Sequence, residues 1–194
     1  MDTRLMRIAR ATRGVTLVEL LMVVALISTV AAMAIPKINF NRYRADAAGR
    51  LVRVQLQSAQ RNAITRQSNV IASFDLANNR LRMVQDYNNN DTLNTADKVD
   101  FRHLEEGAQF ATPTWAGPNG TTPSAAVTGS NLRTVSGMKS VIFRRDGSAS
   151  SDLEVYVTTR PAVREEYRAV IIAQSTGKSD LYKWNGKAWI RMTQ

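Results

Sequence analysis

The sequence predicts an α+β protein in which a long N-terminal α-helix packs on a C-terminal antiparallel β-sheet domain. Two observations support this prediction. Apolar residues fill positions 15–35 and then recur with helical spacing to about residue 67. After Ser68 their period falls to two, which is typical of β-strands. The length of 194 residues is sufficient for one globular domain and one additional segment.

The first helical segment has the composition of a membrane anchor. Only Thr16, Glu19, Ser28 and Thr29 interrupt its apolar run. About 20 apolar residues match the thickness of a bilayer core. Four arginines and one aspartate precede the run, and such arginines remain on the cytoplasmic side of a membrane. We therefore expect a single-pass anchor, with the remainder of the chain outside the cytoplasm.

Three interpretations of this segment compete. A cleaved secretory signal would use the small residues at 31–34 as its processing site. A plain signal anchor explains the apolar run and the arginines. Neither explains Glu19, because a carboxylate in a membrane helix costs about 2.5–3.5 kcal/mol at mid-bilayer. A carboxylate in this position calls for a partner of opposite charge.

The third interpretation supplies that partner. Residues 13–21, RGVTLVELL, resemble the processing site of type IV prepilins and pseudopilins. The resemblance implies that prepilin peptidase cleaves between Gly14 and Val15 and that Val15 is then N-methylated. Glu19 corresponds to the family's fifth-position glutamate, which meets the terminal amine of a neighbouring subunit. The family usually has phenylalanine where this chain has Val15.

The helix is expected to continue beyond the apolar run. Pro36 should kink or locally break it, and the resembling family has an assembly-related proline at this place. From residue 40 the pattern becomes amphipathic, with one apolar face that contains Ala48, Val52, Leu56, Ala59 and Ala63. The expected organisation is a basic leader peptide (1–14), a hydrophobic transmembrane and assembly helix (15–36), its amphipathic continuation (37–68) and a soluble antiparallel β domain (69–194).

The β domain should begin with a hairpin over residues 70–85, turning at 77–79. Further strands are expected at 141–144, 153–159, 168–173, 181–184 and 189–192. Residues 112–130, rich in Gly, Pro, Ser and Thr, should form a loop. The order of these elements resembles the pilin-like plan. Within it, SAQRNAITRQSNV, VIFRRDG and YRAVIIAQSTGK are similar to stretches of GspH/FimT-type minor pilins and pseudopilins.

The chain has few residues of the types that usually carry out enzymatic chemistry. There is no cysteine, which excludes disulfides and thiolate metal sites. His103 is the only histidine, so a Ser/His/Asp arrangement is poorly supported, and the residue is expected to face solvent near a strand end. We predict that the protein is not an enzyme.

Residues 86–97, DYNNNDTLNTAD, resemble a calcium loop in the spacing of their oxygen ligands. The side-chain positions would be Asp86, Asn88, Asn90, Asn94 and Asp97, with the carbonyl of Thr92. The sixth position is Asp91 rather than glycine, and the twelfth is aspartate rather than a bidentate glutamate. The alternative is a loop whose Asn and Asp side chains bond their own backbone. Calcium is the only cofactor that the sequence suggests.

The formal net charge of +10 is suited to an anionic partner such as nucleic acid or a lipid surface. Some FimT-like minor pilins bind DNA through a C-terminal motif of glycine and arginine. The C-terminal hairpin here matches that motif in part. Its candidate DNA-binding residues are Lys183, Lys187, Trp189 and Arg191. The alternative is a solvated basic face with tryptophans that belong to the core.

The sequence therefore predicts a structural subunit, a minor pilin or pseudopilin of the bacterial inner membrane. After processing it would assemble at the tip of a type IV pilus or a type II secretion pseudopilus. The alternative is a DNA-binding minor pilin of a competence pilus, acting in DNA uptake. The expected partners are other pilins or pseudopilins, prepilin peptidase, inner-membrane lipid, the assembly platform and, in the alternative, DNA.

Overall fold

The computed structural model describes residues 14–34 and 40–193. The chain forms two units, Met1–Asn39 and Phe40–Gln194. Helix α1, Leu17–Ala34, belongs to the first. The predicted leader residues before Gly14 and the predicted kink at Pro36 lie outside the described residues.

The second unit contains helix α2, Phe40–Arg66, and two antiparallel sheets. The strands are β1 (Asn69–Asp75), β2 (Arg80–Asp86), β3 (Lys98–His103), β4 (Ala108–Phe110), β5 (Val127–Thr128), β6 (Arg133–Val135), β7 (Met138–Phe143), β8 (Leu153–Thr159), β9 (Arg168–Ile172), β10 (Ser179–Trp184) and β11 (Trp189–Arg191). In the first sheet the strand order is β3-β2-β1-β7-β6. In the second it is β11-β10-β9-β8-β4, and β5 also pairs with β8.

The core lies between α2 and the two sheets. The helix buries one face, formed by Ala45, Ala48, Gly49, Val52, Leu56, Ala59 and Ala63. Spacings of three and four residues place these side chains on one stripe, as the sequence predicted. Opposite them, both sheets contribute buried side chains to the same cluster, among them Phe74, Phe143 and Val155. The predicted α+β plan, a helix on an antiparallel β domain, is confirmed.

An ion pair fixes α2 to the second sheet. The guanidinium Nε of Arg168 on β9 lies 2.6 Å from a carboxylate oxygen of Asp46 on α2. The Arg168 side chain is almost fully buried and also donates hydrogen bonds to the carbonyl oxygens of Glu165 and Tyr167. A buried guanidinium requires acceptors on several sides, and here α2 and the backbone just before β9 supply them together.

Most of the expected strands are present at the predicted places. The first hairpin pairs Asn69 with Asp86 through to Asp75 with Arg80. The sequence missed four strands, namely β3, β4, β5 and β6. The prediction that residues 112–130 form only a loop was therefore wrong in its last part, because Val127 and Thr128 pair with Val155 and Glu154 on β8.

Candidate functional site

The start of α1 is organised around Thr16. Its hydroxyl oxygen accepts a hydrogen bond from the backbone N–H of Glu19 at 3.2 Å, and its carbonyl accepts one from Leu20 at 3.1 Å. Thr16 is thus the N-cap of the helix, with Glu19 three residues later in the first turn, the spacing of a capping box. A carboxylate in the first turn is also favoured by the helix dipole. The sequence reasoning treated Thr16 only as an interruption of the apolar run.

The rest of α1 presents an apolar surface. Every described side chain from residue 15 to residue 32 is exposed, including Leu17 at 76% and Leu26 at 66%. The two hydroxyl residues are satisfied inside the helix, because Ser28 donates to the carbonyl of Val24 and Thr29 to that of Leu26, both at 2.8 Å. In the described part of the chain, no helix is both long enough and apolar enough to cross a membrane. An exposed apolar helix of this kind marks an interaction surface.

This N-terminal geometry agrees with a family comparison. The model of the prokaryotic N-terminal methylation motif matches residues 9–35. The chain is type IV pilin-like in its N-terminal segment. That recognition, drawn from residues 13–21, is confirmed. The matched range contains Gly14, Val15 and Glu19, whose individual roles stay predictions.

Among solved structures, two that are similar to this chain are both the minor pseudopilin EpsH from the type II secretion system of Vibrio cholerae. The first is 13% identical, covers 71% of this chain and 95% of the other, and has a TM-score of 0.47. The second is 14% identical, covers 72% and 94%, and has a TM-score of 0.45. No curated protein sequence matches the chain.

The predicted calcium loop, residues 86–97, directs most of its side-chain oxygens at its own backbone. The buried Asp86 carboxylate accepts from the N–H of Asn90 at 3.3 Å and from that of Asp91 at 2.7 Å. Asp97 accepts from the N–H groups of Tyr87 and Asn94. These bonds are those of an Asn/Asp-rich loop that closes on itself.

Two further ligand candidates, Asn88 and Asn90, are also engaged within the loop. The side-chain oxygen of Asn88 accepts from the N–H of Asn90, and that of Asn90 accepts from Thr92 and Asn94. In the described part of the chain, no group of three or more His, Cys, Asp or Glu side chains could hold a metal ion. The calcium site stays a prediction, and Ca²⁺ would have to compete with these hydrogen bonds.

Asp91, the residue that replaces the glycine of a calcium loop, has a different role. Its carboxylate lies 3.3 Å from Arg133 and 3.5 Å from Arg144, and it accepts a hydrogen bond from the side chain of Asn69. Asp91 has a φ of +60°, a left-handed conformation that aspartate tolerates better than most residues. The loop is therefore held to β6 and the end of β7 by cations of the protein itself, and to β1 by the Asn69 amide.

The candidate DNA-binding residues lie on the C-terminal hairpin but do not share one face. Trp189 pairs with Trp184 and Arg191 with Tyr182, whereas Lys183 pairs with Ile190 in the register between them. Directly paired residues point to the same side, so Lys183 projects opposite to Trp189 and Arg191. Lys187 is exposed in the turn.

Two of these side chains already have partners within the fold. The Trp189 indole N–H donates to the carbonyl of Ala116 at 2.8 Å. Arg191 pairs with Asp180, whose carboxylate raises the pKa of the guanidinium above its usual value. DNA binding stays a prediction, and these contacts leave Lys183 and Lys187 as its most accessible cations.

Trp189 also belongs to an aromatic cluster that the sequence reasoning missed. Ring centroids are 5.5 Å apart for Trp184–Trp189, 5.3 Å for Trp115–Trp184 and 5.0 Å for Trp115–Tyr167. The Arg164 guanidinium lies over both Trp115 and Trp184 at cation–π distance. The cluster fastens the Gly- and Pro-rich segment that contains Trp115 to the second sheet.

Proposed function

We propose that this chain is a minor pilin or pseudopilin, a structural subunit that prepilin peptidase cleaves between Gly14 and Val15. It would then assemble, at or near the tip, into a type IV pilus or a type II secretion pseudopilus. The observation that supports this proposal is the methylation motif at residues 9–35, which contains the glycine, the glutamate and the apolar run together. An enzymatic role has no support among the features described.

The proposed assembly uses the start of α1. Cleavage creates a positive amine at Val15, one residue before the Thr16 cap and four before Glu19. In an apolar surrounding, a carboxylate is tolerated when an opposite charge lies beside it. We propose that Glu19 of an incoming subunit meets the Val15 amine of its neighbour, while the exposed apolar side chains of the two helices pack together. Pro36 is proposed to adapt the helix to this packing.

Before assembly, the subunit is proposed to be held in the inner membrane by residues 15–36, with its arginine-rich end in the cytoplasm. One feature supports this orientation and a second supports the position of the span. Arginines precede the apolar run. After it, Phe40 and Tyr43 at the start of α2 are 59% and 70% exposed, and aromatic side chains are favoured at membrane–water interfaces. The β domain would then lie in the periplasm.

Mass spectrometry of the mature N-terminus tests processing. In cells with active prepilin peptidase, we expect a chain that begins at Val15 and has one added methyl group, and in cells without the peptidase an uncut chain. A chain that begins after Ala34, or one that stays uncut in the presence of the peptidase, contradicts the proposal.

Assembly is tested separately with Glu19→Ala. The variant should be processed but lost from sheared filaments, because the terminal amine of the neighbour has no partner. Glu105→Ala removes an exposed carboxylate of the β domain and is the matched control. Normal incorporation of the Glu19 variant would refute the proposed charge pair.

A further inference from the structure

Strand β3 forms an open edge of the first sheet. Its six residues pair with β2 from Lys98 opposite Gln85 to His103 opposite Arg80. The strand is last in its sheet, and no strand in the described part of the chain pairs with its other side. All six residues are exposed. An edge of this length offers backbone N–H and C=O groups to an additional strand.

A groove of about 200 Å³ runs between this strand and α2. On the strand side it is lined by Lys98, Asp100 and Arg102, which pair with Gln85, Met83 and Leu81 and therefore share their face of the sheet. On the helix side it is lined by Gln55, Ser58, Asn62 and Arg66, spaced along one stripe of α2. Ala59, Val70, Met83 and Gln85 complete the lining.

The groove has an excess of positive charge. Arg66, Lys98 and Arg102 face it with one carboxylate, that of Asp100, which lies 2.7 Å from Arg102. Arg66 donates a hydrogen bond to the neutral side chain of Gln85, so its charge is not balanced by that contact. The opposite face of β3 is different in character. There Val99 and Phe101 are 38% and 40% exposed, and the Arg80 guanidinium lies 4.2 Å from the Phe101 ring centroid.

We propose that the β3 edge and this groove bind an extended acidic segment of a partner protein, which adds to the first sheet as a sixth strand. Side chains of an added strand alternate between the two faces. Those on the groove side would be acidic opposite Lys98 and Arg102 and uncharged opposite Asp100. Those on the other side would be apolar, against Val99 and Phe101. The backbone gives affinity and the alternating side chains give specificity. The inference is independent of assembly through the N-terminal helix.

Charge argues against a second copy of this chain as the occupant. Its β3 strand would bring Lys98 and Arg102 with one aspartate to a groove that is already cationic. The whole chain has a net charge of +10, which adds repulsion at low ionic strength. With an acidic partner, the interaction of charges in the groove and the interaction with the net charge of the whole chain both become attractive.

The test uses the full chain in detergent micelles and a fluorescein-labelled peptide, Ser-Glu-Val-Thr-Val-Glu-Ser. We expect its anisotropy to rise saturably with protein concentration and the binding to weaken with salt. The peptide with lysine in place of both glutamates should bind at least about tenfold more weakly. A third peptide has N-methyl groups on the first valine and the central threonine, which block a backbone donor on each of its edges. If the peptide binds by adding a strand to the sheet, the affinity of this N-methylated peptide should also be lower by at least about tenfold.

Two charge-reversed variants locate the site. Lys98→Glu/Arg102→Glu should weaken binding of the glutamate peptide at least about tenfold. Lys139→Glu/Lys178→Glu makes the same change in charge at exposed positions elsewhere and should leave the affinity within twofold. Equal binding of the glutamate and lysine peptides, equal binding of the N-methylated peptide, or equal losses in the two variants would each overturn the proposal.

Discussion

Replacing Asp46 by alanine tests how strongly the ion pair with Arg168 joins α2 to the second sheet. The variant leaves a guanidinium whose side chain is 4% exposed without its carboxylate. Removing one partner of a fully buried pair costs about 3–5 kcal/mol. The Asp46 side chain is 31% exposed, so water can partly replace it, and Arg168 keeps two backbone acceptors. We therefore expect a loss of about 2–3 kcal/mol.

The chain contains a matched control for this experiment. Asp100 pairs with Arg102 at 2.7 Å, nearly the distance of the Asp46–Arg168 pair, but both side chains are about half exposed. Exposed ion pairs contribute about 0–1 kcal/mol, so Asp100→Ala should be close to neutral. The two pairs differ in burial and hardly in the distance between nitrogen and oxygen.

The assay is thermal and urea unfolding of residues 40–194, followed by circular dichroism at 222 nm to monitor α2. This fragment contains every residue that the structure shows as buried, from Ala45 to Trp184. For a domain of this size, the Asp46 variant should lower the melting temperature by about 5–10 °C and the Asp100 variant by less than about 3 °C. If the two variants lost similar amounts of stability, burial of an ion pair would not determine how much that pair contributes to the free energy of unfolding, and the reasoning would be refuted.

Two further predictions concern the acidic side chains of the β domain. Hydrogen bonds from the side chains of Asn78 and then Arg80 hold the pKa of Asp75 below its usual 3.8. The ionised carboxylate therefore contributes its full stabilisation above about pH 4, and this contribution is lost as the pH falls through the pKa of the folded protein. Asp75→Asn should lower the free energy of unfolding at pH 7 and make that free energy fall less steeply as the pH is lowered below about 4. An equally steep fall in the variant would contradict the role given to Asp75. For the predicted calcium site, isothermal titration of Ca²⁺ into the chain should release saturable heat that Asp97→Ala reduces, whereas no heat in either protein would refute calcium binding.

The sequence predicted those parts of the fold that have regular patterns. The apolar face of α2 follows a strict helical spacing, and β1 and β2 are separated by a recognisable turn. By contrast, β3 has no buried residue, and its charged side chains at 98, 100 and 102 resemble a solvated loop. The strands β4 and β5 are only two or three residues long, and long-range pairing with β8 defines them. Such pairing leaves no periodicity in the sequence. The three-residue β6 pairs with β7 across the two-residue turn of Ser136 and Gly137, a local signal that was available in the sequence.

The N-terminal motif could be recognised because its residues act within a short stretch of chain. The cap formed by Thr16 also had a local signal, the T-x-x-E spacing to Glu19, which was available in the sequence. The 86–97 loop shows the opposite case. Its oxygens have the spacing of calcium ligands, but the same spacing serves hydrogen bonds to the backbone, and only the fold shows that Asp91 meets Arg133 and Arg144.

The aromatic cluster has a spectroscopic consequence. All three tryptophans of the chain, Trp115, Trp184 and Trp189, lie in it, within 5.5 Å of one another along the chain of ring contacts. Intrinsic fluorescence of this protein is therefore a local probe of the outer side of the second sheet and is silent about α2 and the 86–97 loop. A fluorescence transition below the far-ultraviolet dichroism transition would report loosening of this cluster, by detachment of the 112–130 segment or of the C-terminal hairpin, ahead of global unfolding.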